Sequence, residues 1–185
     1  IALQVTSVVF MVHLGLSNVA TVRAGQAYGR ADAVALRDGA AVVLAMSGVV
    51  ALATVALFLS LPEWLLGLFM SPDEPSRASV IAIGTGLLAA AALFQLVEAG
   101  QVMALGLLRG VQDTRVPMLM AALSYWVIGI PASYLMGFTF GMGGAGIWLG
   151  LAVGLACAAV LMLARFMAWS GRAAAAAVVA GTDQS

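Results

Sequence analysis

Residues 93–110 read LFQLVEAGQVMALGLLRG. A carboxylate, Glu98, sits between two glutamines inside a run that is otherwise almost wholly apolar. Apolar residues continue on both sides, from about Ser79 to Leu108, which is long enough for a helix to cross a hydrocarbon core of ~30 Å. The rest of the chain has the same character. Of its 185 residues 63% are hydrophobic and only 9% charged, against about 25% charged in a soluble domain. Polar groups are too few to cover a globular surface, so the solvent of this chain is a lipid bilayer. Net charge is zero, which gives no case for nucleic-acid binding. The single cysteine, Cys157, has no disulfide partner and no metal-ligand spacing around it.

Working outward, four more apolar runs have spanning length: Ala2 to Gly25, Gly39 to Leu61, Pro117 to Phe140 and Gly144 to Met167. Membrane β-strands are about ten residues long and alternate polar with apolar. These runs are over twice that length and do not alternate, so the chain is expected to be an all-α membrane protein with about five transmembrane helices. Residues 171–185 are expected to form a cytoplasmic tail without fixed structure.

The loops carry the orientation. VRAGQAYGRADAVALRDG holds Arg23, Arg30 and Arg37, LRGVQDTRVP holds Arg109 and Arg115, and the end of the last run holds Arg165 and Arg172. LPEWLLGLFMSPDEPSR is acidic, with Glu63, Asp73 and Glu74 against Arg77. Seven of the eight cationic residues, all arginines, thus fall on alternate loops that share one side. The positive-inside rule makes that side cytoplasmic. A multi-pass protein of the cytoplasmic (inner) membrane with a cytoplasmic C-terminus follows. Trp64 and Trp169 lie where interfacial rings belong; Trp126 and Trp148 lie deeper, packed in the core or lining a cavity.

Small residues let membrane helices approach closely. Gly146, Gly150 and Gly154 recur at four-residue spacing on the last run, and Gly106 and Gly110 on the third. Pro131 falls mid-run in the fourth, where its missing N–H should kink the helix.

Polar residues within the runs are the candidates for function. Serines and threonines can bond their own helix carbonyls and mean little alone. Asn18 and the glutamines need other partners. His13, the only histidine, is either a neutral buried ring bonded to a neighbour or a proton relay. Glu98 is the strongest signal. Arg109 marks the end of its run, so Glu98 lies roughly 16 Å in at 1.5 Å per residue, near the bilayer centre. An acid there costs about 2.5–3.5 kcal/mol on the insertion scale and by default marks a functional site. The structural alternative is a protonated carboxyl bonded to a neighbour. Gln95 and Gln101 flank it at three-residue spacing and form a polar stripe on one side of the helix. No nucleophile, nucleotide loop or metal cluster is present in the sequence, so an enzyme is not expected and an ion gradient must supply the energy of any transport.

Three stretches carry a resemblance. FMVHLGLSNVATVRAGQAYGRAD is similar to the eighth helix and following loop of the multidrug and toxic compound extrusion (MATE) family, NorM-like members. FQLVEAGQVMALGLLRGVQDTRVPMLMAALSYWVIGIPASYLMG resembles its tenth and eleventh helices, and GAGIWLGLAVGLACAAVLMLARF its twelfth. The resemblance implies that residues 1–170 form most of one six-helix lobe of a twelve-helix transporter, the C-terminal lobe lacking its first helix. The N-terminal lobe of the same chain would then be its partner. It further implies an antiporter that exports small cationic or amphipathic drugs by alternating access. No cofactor is expected beyond the coupling ion, sodium or a proton. Glu98 stands at the position of a cation-coupling acid, and would be the sodium ligand if the ion is sodium. Phe94 stands where some members have a tyrosine, and His13 where many have a proline. A second acid would lie upstream of Ile1. Phe94, Tyr125, Asn18 and His13 are the expected cavity-lining residues. Two rivals remain: a lipid-linked or polysaccharide flippase of the same superfamily, which would need mid-span arginines that are absent here, and a non-transporting assembly subunit held by its glycine faces.

Overall fold

The computed structural model describes the backbone of residues 2–68 and 77–182, and the side chains of 4, 6–68 and 77–171. Five helices in it are long and apolar enough to cross a membrane. The first span is Ala2–Gly29, the second Ala33–Ser60, the third Arg77–Gly110, the fourth Arg115–Thr139 and the fifth Gly143–Thr182. A short helix, Pro62–Gly67, follows the second span and presents Trp64 on the surface. The described residues contain no strand. The acidic connection around Asp73 and Glu74 lies outside the described residues, as does the side chain of Arg172. The membrane-crossing segment of the last helix is Gly143–Gly171, and the helix continues to Thr182.

The arginine-rich first connection is shorter than its polarity suggested. The chain leaves the helix only at Arg30–Asp32. Arginine is a good helix former, so Arg23 and Arg37 are carried on the helical turns themselves. This connection and the one after the third span share a form. Each ends its helix with a residue in the left-handed region, Ala31 at φ 53° and Gln112 at φ 63°. Asp32 N donates to Ala27 O and Ala31 N to Tyr28 O, while Asp113 N donates to Leu108 O and Gln112 N to Arg109 O. This is the paired-bond ending that usually calls for glycine. Each turn then uses its aspartate. Asp32 caps the second span by accepting from Ala35 N at 2.9 Å. Asp113 pairs with Arg165 at 2.5 Å, tying the turn to the fifth span.

The third span is the hub. It packs against the first, second and fifth spans. Its seam with the first span is built on absent side chains. A Cβ at Gly106 would strike Ser17, and one at Gly110 would lie 2.6 Å from Thr21 O. The approach allows Ser17 Oγ to donate to Val102 O at 2.8 Å and Thr21 Oγ1 to Gly106 O at 2.9 Å. The fifth span presents Gly146, Gly150 and Gly154 to the fourth, where added Cβ atoms would meet the backbone of Met136, Ser133 and Gly129. Ser133 Oγ donates to Gly129 O at 2.8 Å and reaches Ile147 O across the seam at 3.2 Å.

Pro131 does not interrupt the fourth span. The helix widens instead, with π-helical turns at Ser124–Gly129 and Leu135–Thr139 on either side of it. Ile130 N reaches back to Tyr125 O. Widened turns of this kind re-satisfy carbonyls that a proline leaves unpaired. Trp126 on this span is 71% exposed, so it is not packed in the core of the described residues.

Candidate functional site

Thr6, His13, Ser17, Ala20, Ala24 and Ala27 are buried and define the inward face of the first span. Against this face the third span sets Gln95, Glu98 and Gln101. A three-residue step turns a helix by 300°, so successive members of such a stripe retreat by about 60° around the axis. The stripe therefore fans out. Gln95, fully buried, directs Nε2 to Thr6 O at 3.4 Å on the first span. Gln101 directs Nε2 to Met162 Sδ at 3.9 Å on the fifth. Glu98 lies between them and meets two cavities.

The larger cavity, about 420 Å³, is lined by the first, third and fifth spans, including Phe10, Phe94, Gln95, Glu98 and Trp148. Phe94 and Trp148 meet edge to face with centroids 5.0 Å apart, which places the second deep tryptophan on a cavity wall. The smaller cavity, about 370 Å³, is bounded by Phe10, Glu98, Gln101, Arg109 and Tyr125 among others. Phe10, Phe94 and Glu98 are shared by both. Phe10, Thr6 and Ser7 are lining residues that the sequence did not single out, although Phe10 lies one turn from the polar His13.

Two of the expected lining residues border neither of these cavities. Asn18 is exposed. Its neighbour Ser17 faces the third span, and one residue turns the helix by 100°. His13 is fully buried with Nδ1 3.1 Å from Ser47 Oγ of the second span, and it borders neither cavity.

The electrostatic character of the Glu98 site comes from its acceptors. Glu98 Oε2 is buried and accepts no hydrogen bond from the protein, and the same is true of Gln95 Oε1. The Gln95 amide orientation is fixed by its Nε2 donating to a carbonyl. Buried acceptors without donors are costly. Gln95 and Glu98 both line one cavity, where a proton or a small cation would satisfy such acceptors. Among the described residues no three His, Cys, Asp or Glu side chains gather as a metal cluster. Any cation here would be held by one carboxylate and neutral oxygens.

The fold and this site mark the class, helical multi-pass membrane proteins with an ionisable group inside a span, and the comparisons give the family. A family model described as MatE matches residues 1–135. The probable multidrug resistance protein NorM of Brucella suis biovar 1 is 46% identical over 168 residues, covering 90% of this chain and 35% of that protein. The corresponding protein of Agrobacterium fabrum is 42% identical, over 90% of this chain and 36% of its own length. The chain belongs to the MATE family, as a NorM-like, multi-pass membrane protein. It spans about a third of the length of these relatives. The fold is also that of an inward-facing multidrug resistance MATE family transporter of the MOP superfamily, with TM-score 0.81 at 17% identity over 93% of this chain and 39% of that one. The eukaryotic MATE transporter AtDTX14 gives TM-score 0.78 at 20% identity over 93% and 38%.

Proposed function

We propose that this chain is the C-terminal lobe of a two-lobed antiporter that exports drugs or toxic organic compounds, and that Glu98 is its cation-coupling group. The observation that carries the reading is the Glu98 carboxylate, mid-span, meeting two cavities with an oxygen that no protein donor satisfies. The names of the NorM relatives, which describe multidrug resistance proteins, support the substrate class.

The coupling rule follows from desolvation. A carboxylate at this depth is penalised while charged. A proton or a sodium ion relieves the penalty, and so does a cationic substrate. One negative charge serves one of them at a time, so binding of either partner releases the other. Gln95 and Gln101 supply neutral polar walls on the two sides. The test is substrate efflux from proteoliposomes holding the full-length protein under an imposed sodium or proton gradient. Efflux that follows one of the gradients is expected, and efflux indifferent to both would overturn the coupling.

The arginine distribution supports a cytoplasmic C-terminus in the inner membrane. A single cysteine beside Asp73 is expected to react with an impermeant thiol reagent added to intact cells, and one beside Arg30 to stay unlabelled. The reverse pattern would invert the topology.

A further inference from the structure

A groove runs between the second and fifth spans at the arginine-rich end, with a volume of about 490 Å³. Its two walls repeat one spacing. Arg37, Ala41 and Leu44 come from the second span, and Leu163, Met167 and Ser170 from the fifth. Positions i, i+4 and i+7 form one face of a helix. The two faces oppose each other antiparallel, so Arg37 and Ser170 stand at the same end and both leucines lie deeper. The groove is thus apolar along its length and polar at one mouth. It opens outward, since Ala41 and Met167 are exposed. It is separate from the Glu98 cavities, with which it shares no lining residue.

Arg37 has no carboxylate partner among the described residues, whose ion pair at this end joins Arg165 to Asp113. The Arg37 guanidinium lies over Gly171, 3.6 Å from where a Cβ would stand. Asp38 is exposed and next to it in sequence, but is not part of the groove wall. Ser170 Oγ donates to Met167 O at 3.0 Å, which leaves its oxygen free to accept.

We propose that this groove binds one anionic phospholipid, with an acyl chain lying along the leucines and the phosphate on Arg37. A planar guanidinium suits a phosphodiester through paired N–H donors. The accepting Ser170 oxygen suits a hydroxylated headgroup such as glycerol. An arginine-bearing pocket between transmembrane helices on the cytoplasmic side has the physical requirements of such a site. The proposal rests on the orientation given above and not on cation coupling.

The full-length protein, purified in mild detergent and re-exposed to phosphatidylglycerol or phosphatidylcholine, is examined by native mass spectrometry. One retained phosphatidylglycerol and no comparable phosphatidylcholine are expected. Arg37→Gln should lower retention about fivefold, the scale of one arginine at an anionic surface. Ala41→Phe should abolish retention by filling the groove from its exposed rim. Arg30→Gln and Glu98→Gln should both retain the lipid, so a failure of the coupling reading leaves this result intact. Equal retention of the two lipids, or wild-type retention by Arg37→Gln, would overturn the site. A photo-crosslinker at position 41 should capture lipid; capture of another protein segment would show that the groove is a protein interface.

Discussion

In the full-length transporter, Glu98→Gln is expected to reach the membrane at wild-type levels and to lose ion-driven efflux down to background. The expectation separates two roles. If Glu98 were structural, its oxygens would be engaged by protein donors, and an amide would break those bonds. Oε2 has no such donor, and the side chain meets cavities rather than a packed wall. An amide of the same shape therefore disturbs little. Under the proposed coupling it removes the one negative charge that ion and substrate would share, and it fixes the site in its neutral form. Glu98→Asp keeps the charge but draws it back by one methylene, so partial activity is expected. Substrate efflux from proteoliposomes under an imposed gradient, normalised to reconstituted protein, measures both. Wild-type transport by Glu98→Gln would remove the coupling role. Poor expression with normal specific activity would return Glu98 to a structural one.

The second large effect belongs to Gly150→Leu, which is expected to abolish accumulation of the protein in the membrane. A Cβ at Gly150 meets backbone atoms of Ala132 and Ser133, and backbone cannot step aside as a side chain can. Overpacking a core by a few methylenes costs about 1–3 kcal/mol, and here the two spans must separate outright. Separation also removes the reach of Ser133 Oγ to Ile147 O. Gly48 provides the control, because a Cβ there would meet nothing within 4 Å. Gly48→Ala should accumulate normally. Membrane abundance by immunoblot and thermal stability in detergent distinguish the pair. Normal stability of Gly150→Leu would mean that the fourth and fifth spans do not pack through this glycine.

What could be seen in the sequence follows from which forces act along one helix and which act between helices. The five spans were legible because burial in hydrocarbon demands length and apolarity, which are local properties. Glu98 was legible because an acid in such a run is expensive wherever it points. The glycine seams were legible because their spacing is local too. Rotation about each helix axis was not. Asn18 turns outward while Ser17 turns in, and His13 pairs with Ser47 on the second span, because neighbours set the phase. The polar stripe was read as one face, yet Gln95 and Gln101 address different spans. Helix ends were also blurred. Arg23 and Arg37 looked like loop residues by charge but sit within helical turns.

The widened turns of the fourth span bear on how far its contact with the fifth can run. Residues four apart on a regular α-helix overshoot a full circuit by about 40°, so a row of them winds slowly off any straight partner. A π turn takes more residues per circuit. Gly129, Ser133 and Gly137 are each four residues from the next; the first step runs through the α-helical turn Ile130–Tyr134 and the second enters the π turn Leu135–Thr139, which offsets part of the winding. That row is the one facing Gly154, Gly150 and Gly146. The widening beside Pro131 thus works against the winding, and three positions of the fourth span stay opposite three glycines of the fifth.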